Sequence, residues 1–489
     1  MTAPDLERSS GVLLHVTSLP GAYGIGDLGP AAHVWIDWLA RSGTTYWQML
    51  PLGPTGFGDS PYSSFSSHAG NVDLISPEAL VNDGFLTDVP TPVGEEDRVD
   101  YAAVRVAKRE MLEEAFSALS APRREEFRAF QTLERAWLGP FALYMALKEA
   151  HNGEPWTSWP ESLRVRDAGA LDEAAARHSK EMDFHAFGQF VFHLQLEALR
   201  AHARSSDVEI VGDVPFYVAS DSVDVWLHPE LFTLGHSGEP SHVAGVPPDM
   251  FSEEGQRWGN PLYQWGMHAA DGYAWWADRL RAFLRHADVL RIDHFTGFAT
   301  YWEIEASEPT AVEGRWRKGP GARLFRAIEQ ELGVIPIIVE DLGPAGQIVE
   351  DLRLELGYPG MMLMQELFTH DGPYPPIGED RVAYTGTHDN DTALGRYESE
   401  TEPYRRRALQ YTEVDEEGYA WGLVEAAWSS PAVVSVAPMQ DLLGLGSEAR
   451  MNLPSTTSGN WQWRMPPGSA TSELSHDLAE LNVRTDRRA

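Results

Sequence analysis

Short continuous apolar runs recur along the chain, separated by stretches with the three-to-four-residue spacing of amphipathic helices. Eight such runs, 11–19, 45–52, 208–215, 288–293, 334–340, 360–365, 382–387 and 432–436, read as buried strands bounded by Gly, Pro or charged residues. Between the first two, Pro30 suits a helix first turn, Ala31, Val34, Trp35, Trp38 and Leu39 fall on one face, and Gly43 is placed to close it. Further helical stretches hold Phe184, Phe187, Phe190, Phe192 and Leu196 before the third strand and Trp275, Trp276, Leu280, Phe283 and Leu284 before the fourth. Others run over 322–332, 348–356, 405–411 and 419–429. Strand–helix alternation favours parallel pairing, and eight repeats of it predict an α/β protein, a (β/α)8 TIM barrel.

The spacing also predicts where the barrel is interrupted. The chain reads as one barrel domain over 1–489, with a helical insertion at 76–182 that includes long amphipathic runs at 101–119 and 123–137. A loop-rich insertion at 216–272 should lie over the barrel mouth, since long irregular connections in compact domains are usually functional. Residues 300–304 suggest a short extra strand, and the Gly, Pro and Ser of 53–65 a shaped loop.

Four strands end in acid: Asp213, Asp293, Glu340 and Asp389. In a barrel of this kind, groups at the C-terminal strand ends converge on one mouth. Like charges gathered there are unfavourable unless function requires them. Two carboxyls facing a glycosidic bond can divide the work, an ionised one attacking the anomeric carbon and a protonated one donating to the leaving oxygen. Arg291 shares a strand face with Asp293 and favours its charged form, whereas Glu340 follows an apolar strand and faces other acids, which raises a carboxyl pKa. On environment alone, Asp293 is therefore expected to be the ionised nucleophile and Glu340 the acid/base. A barrel that only bound its ligand would have no use for both carboxyls.

Composition narrows the partners. The 489 residues carry 73 acidic against 38 basic side chains, a formal net charge of -35, so nucleic acid would be repelled over most of the surface. No cysteine is present, which excludes disulfides, thiolate metal sites and a Cys nucleophile. His15 has no second His two residues on and no H-E-x-x-H run occurs, so neither metal nor cofactor is expected. No apolar run approaches membrane-spanning length and no leader pattern opens the chain, which leads us to expect a cytoplasmic protein without membrane contact. The abundance of Trp, Tyr and Phe suits a cleft that holds sugar rings on flat faces.

Several blocks together resemble one family. They include Trp47-Gln48-Met49-Leu50-Pro51-Leu52-Gly53-Pro54-Thr55-Gly56, Gly58-Asp59-Ser60-Pro61-Tyr62, Gly212-Asp213-Val214-Pro215 and Ala244-Gly245-Val246-Pro247-Pro248-Asp249. Further along come Gly255-Gln256-Arg257-Trp258-Gly259-Asn260, Arg291-Ile292-Asp293-His294-Phe295, Val339-Glu340-Asp341-Leu342-Gly343, Thr387-His388-Asp389-Asn390 and Pro438-Met439-Gln440-Asp441-Leu442-Leu443-Gly444. Together they resemble the 4-alpha-glucanotransferases, also called amylomaltases or disproportionating enzymes, glycoside hydrolase family 77 of the alpha-amylase clan. The resemblance implies transfer of alpha-1,4-glucan segments from maltooligosaccharides or amylose to an acceptor 4-hydroxyl by retaining double displacement. It gives Asp293 the part of nucleophile, Glu340 that of acid/base and Asp389 that of transition-state stabiliser. It further implies that Tyr62, Asp213, Arg291, His294 and His388 line the subsite of the attacked glucose, that Asp249, Gln256, Trp258 and Asn460 contact flanking sugars, and that Ser60 also binds substrate. Glu366 and Ser455 depart from the family pattern, where an aromatic residue and glycine are usual.

Overall fold

The computed structural model describes residues 6–248, 252–343 and 346–487. Eight parallel strands close into a barrel: Ser9–Leu13, Tyr46–Gln48, Glu209–Val214, Val289–Ile292, Ile337–Val339, Gly360–Leu363, Arg381–Tyr384 and Val434–Pro438, the last pairing back onto the first. All eight expected strands are present, but most are shorter than their apolar runs. The first stops at Leu13 and gives way to a 3-10 turn at Val16–Ser18, which turns the chain outward at the mouth. In the fifth, Pro336 has no N–H to donate to the ladder, and pairing begins at Ile337.

The first helix, Pro30–Arg41, starts with proline in its first turn and is followed by Gly43 at φ +66°. Its buried face comprises Ala32, Trp35, Ile36, Trp38 and Leu39, while Val34 is 62% exposed, so the apolar stripe is rotated by about one position from the expected one. Between the second and third strands run the helices Tyr101–Ser117, Ala121–Leu133 and Arg135–Ala150, followed by the 27-residue Ser179–Ser205. Phe85, Phe116 and Phe127 of this excursion pack around Phe187 of the long helix in edge-to-face and tilted pairs.

The stretch 216–272 is less irregular than its composition suggests. It contributes the strands His242–Val246 and Gln256–Pro261 to a four-stranded antiparallel sheet completed by Thr300–Glu305 and Arg315–Lys318. The third and fourth barrel strands thus send out excursions that meet in one sheet beside the mouth, and this sheet carries Gln256 and Trp258. Among the described residues no helix is long and apolar enough to cross a membrane.

Packing buries His15 and His268 and partly buries His286 and His294. Burial lowers His15 and His286 to about 3 and His268 and His294 to about 4. An unfolded histidine titrates near 6.5, so as pH falls from there towards 4 the unfolded chain takes up protons that the folded chain refuses. Stability should be full above pH 6.5 and fall below it, by about 1.4 kcal/mol per pH unit for each such residue. Urea midpoints at pH 7 and pH 5 measure this, and His268→Phe, remote from the mouth, should flatten the dependence.

Candidate active site

The fourth strand ends in Arg291-Ile292-Asp293-His294. Arg291 is 1% exposed and lies at the centre of three carboxylates. Its Nη1 donates to both Asp213 oxygens at 2.7 and 2.6 Å and to Asp293 Oδ1 at 3.2 Å, while Nη2 lies 3.2 Å from Glu340 Oε2. One guanidinium therefore holds acids from the third, fourth and fifth strands side by side, using the planar fork that suits arginine to this task. Asp213 is closed to solvent and also accepts from the Tyr62 hydroxyl at 2.8 Å. Arg291 and Asp213 thus form the floor of the cleft, with Asp293 and Glu340 above them and each side chain 22% exposed.

The turn after Asp293 completes the arrangement. His294 adopts φ +47°, a left-handed conformation uncommon for a residue with a Cβ, and its N–H donates to Glu340 Oε2 at 2.8 Å. The His294 ring meets Trp258 edge-on at 4.8 Å, which ties the antiparallel sheet to the barrel mouth. Trp258 is 38% exposed, and its Nε1 donates to Gln256 Oε1 at 3.1 Å.

These contacts shift the two carboxyls in the opposite sense to the one expected from sequence. Burial and the Glu340 charge push the Asp293 carboxyl well above the usual range, and Arg291 offsets only part of this because it also serves Asp213. Glu340, although penalised by burial, is held below its ordinary value by Arg291 and the His294 N–H. Sequence placed the arginine beside Asp293 correctly but gave no sign that the same guanidinium reaches Glu340.

The third carboxylate enters from the loop after the seventh strand. Asp389 accepts from Asn452 Nδ2 at 2.6 Å and lies 3.4 Å from His388 Nε2, and its own side chain is 43% exposed to the cleft. Burial opposes its ionisation, but His388 and Asn452 hold its carboxyl far below the usual range. Tyr62 stacks on His388 with ring centroids 5.0 Å apart, which joins this group to the Asp213 floor. Ser60 accepts from the Tyr62 N–H at 3.2 Å and shapes that turn. Asn460 clamps its own loop, accepting from Leu453 N–H and donating to Thr456, and the adjacent Trp461 packs on Tyr62 and His388. Asp249 lies outside the described residues.

Four residues not singled out from sequence belong to the site. Asn452 holds the Asp389 carboxylate, Arg450 donates to the Asp389 carbonyl at 2.7 Å, Trp461 backs the Tyr62–His388 stack, and Tyr217 lies against Trp258 and His294. No strand-end signal marks them. Among the described residues no group of three or more His, Cys, Asp or Glu is arranged to hold a metal.

A family model described as 4-alpha-glucanotransferase matches residues 14–471. The chain belongs to that family. It is 47% identical over 502 residues to the 4-alpha-glucanotransferase of Thermus thermophilus, with 99% of this chain and 100% of the relative covered. Identity to the Synechocystis sp. 4-alpha-glucanotransferase is 42% over 497 residues, covering 99% and 98%. Among solved structures, the amylomaltase from Streptococcus agalactiae in complex with acarbose superposes with a TM-score of 0.95 at 36% identity, covering 99% of this chain and all of that one. The family and the barrel that the motifs implied are thereby borne out, and with them the class of a retaining, glycosyl-transferring enzyme. Of the two departures from the family pattern, Ser455 sits exposed at φ +67°, where glycine would be unstrained. Burial raises the Glu366 carboxyl, with Arg396 opposing.

Proposed function

We propose that the chain transfers alpha-1,4-glucan segments by double displacement, with Asp293 as nucleophile, Glu340 as acid/base and Asp389 as the carboxylate that holds sugar hydroxyls. The observation that carries this reading is the single guanidinium of Arg291 spanning Asp293 and Glu340, which sets the two carboxyls side by side at the same mouth. Positive charge gathering at an anomeric carbon over Asp293 favours the ionised form there and leaves the proton to Glu340, beside the leaving oxygen. Attack by Asp293 gives a beta-linked glycosyl-enzyme as Glu340 protonates the departing sugar. Glu340 then deprotonates an acceptor 4-hydroxyl, which displaces Asp293 and restores the alpha linkage. Asp389, ionised and open to the cleft, stabilises the oxocarbenium character of both transition states.

The substrates follow from the same reading: maltooligosaccharides and amylose as donors, glucose or a glucan as acceptor, and no nucleic acid. Ser60, Tyr62, His294 and His388 bound the reacting glucose, with Arg291 and Asp213 fixing the carboxylates from below. Gln256, Trp258, Asn460 and Asp249 serve the flanking sugars. A cytoplasmic location belongs to this proposal, and cell fractionation checks it. Maltotriose alone should yield glucose together with longer maltooligosaccharides. If reducing ends instead rise in step with bond cleavage, water is the acceptor and the protein is a hydrolase.

Trp258 presents an exposed ring at the rim and meets the His294 ring edge-on. Trp258→Ala should raise KM for maltotriose by about tenfold, equivalent to ~1.4 kcal/mol of lost binding, with a smaller change in kcat. Initial-rate kinetics over a range of maltotriose concentrations measure it.

A further inference from the structure

The acid that follows the eighth strand, Asp441, lies outside the cleft, yet it holds both ends of the loop that carries His388 and Asp389. It is 2% exposed. Its Oδ2 accepts from the Thr385 hydroxyl at 2.6 Å, just past the seventh strand, and its Oδ1 accepts from the Ala393 N–H at 2.7 Å, at the start of the next helix. Thr385 and Ala393 bracket the loop. Within it, Asn390 Oδ1 accepts from the Thr387 N–H and hydroxyl, both at 2.9 Å, and its middle is held by the Arg450–Asn452 segment and by the Ser447 hydroxyl, which donates to Asp391 at 2.8 Å, while among the described residues Asp441 alone bridges the two ends.

We propose that Asp441 is a positioning residue for the transfer reaction, pinning the two ends of the Asp389 loop so that the third carboxylate keeps its place over the cleft. The inference rests on the function proposed above for Asp389. A neutral or shortened side chain cannot accept two hydrogen bonds in these directions, and releasing either end lets the loop slide relative to Arg291 and Glu340. Displacement by about 1 Å suffices to lower a rate about a hundredfold.

The surroundings add a pH dependence. Asp391 from the loop, His388 and His15 from the seventh and first strand ends, and Arg450 line the cavity that Asp441 borders, and Tyr419 approaches from the helix behind. Burial raises the Asp441 carboxyl to about 6, with the Ala393 and Thr385 donors opposing and the Asp391 charge adding. The pinned state with two accepted hydrogen bonds thus forms as pH rises through about 6 and is lost as pH falls through it.

The test uses the full chain and three readouts. Asp441→Asn should keep KM for maltotriose within about twofold while kcat falls about 10–100-fold, and the acid limb of its kcat–pH profile, placed near 6 in the parent by Asp441, should move. Thr385→Val, which removes one anchor, should fall between parent and Asp441→Asn, and the double variant should be no slower than Asp441→Asn. Hydrogen exchange of peptides covering 385–393 should quicken in both single variants, with the rest of the chain unchanged. If kcat and the acid limb equal those of the parent, or loop exchange does not change, the proposal is overturned. A parent that fails to disproportionate maltotriose would overturn the proposed function instead, and the exchange measurement would still decide whether Asp441 pins the loop.

Discussion

Asp293→Asn should lower kcat for maltotriose disproportionation by about four orders of magnitude, the scale on which removal of a covalent nucleophile acts. The amide has nearly the shape of the carboxylate and can still face Arg291 Nη1 through its oxygen, so the fold and glucan binding should survive. The substitution also removes one of the three acids around Arg291, and thermal stability should hold or rise slightly. Steady-state kinetics beside a thermal melt and a binding isotherm for acarbose separate these effects. A barrel that only bound glucan would keep its affinity and have no turnover to lose, whereas retention of most of the parent's kcat would transfer the nucleophile's part to another group.

The second large effect is expected at Arg291. Arg291→Met leaves Asp213, Asp293 and Glu340 facing one another with no cation between them. Breaking a buried ion network from one side is destabilising by about 3–5 kcal/mol, because the remaining charges stay desolvated. The signature distinguishing this from simple loss of packing is its pH dependence. Without Arg291 the three carboxyls have raised folded pKa values, and such groups contribute stability at low pH that is lost as pH rises through those values. The deficit relative to the parent should therefore be largest near pH 8 and shrink towards pH 5, as read from urea midpoints. Turnover should be lost at every pH, since both reacting carboxyls lose their common support. A deficit independent of pH would mean that Arg291 acts mainly by filling space.

Much of this arrangement was legible in the sequence because barrel strands and their acids are local signals. Each strand is a continuous apolar run, with Asp213 near the end of the third, Asp293 and Glu340 directly after the fourth and fifth, and Asp389 on the loop after the seventh, so topology carries them to one mouth. The bounds were less legible. Apolar residues continue past the ladder where the chain bends at Val16–Ser18, and Pro336 shortens the fifth strand without altering its hydropathy. The strands His242–Val246 and Gln256–Pro261 were missed because they carry Gly245 and Gly259 and alternate poorly, being part of a small sheet beside the barrel. Asn452 lies 63 residues beyond Asp389 and has no motif of its own, so its part appears only when the loops are packed together. The same limit explains the direction of the two shifts. Arg291 and Asp293 are neighbours in sequence, but the contacts that lower Glu340 come from Arg291 Nη2 and the His294 N–H, and both depend on the register between the fourth and fifth strands.

Peptide mass spectrometry of the Glu340→Gln variant incubated with alpha-maltotriosyl fluoride tests the central claim most directly. Fluoride departs without a proton, so attack by Asp293 can proceed, while the missing acid/base stalls transfer to an acceptor and lets the intermediate accumulate. A maltotriosyl adduct confined to the peptide containing Asp293, and absent from Asp293→Asn/Glu340→Gln, is the expected result. Release of fluoride with no adduct, or an adduct on a peptide carrying Asp389 or Asp213 instead, would contradict the double displacement through Asp293.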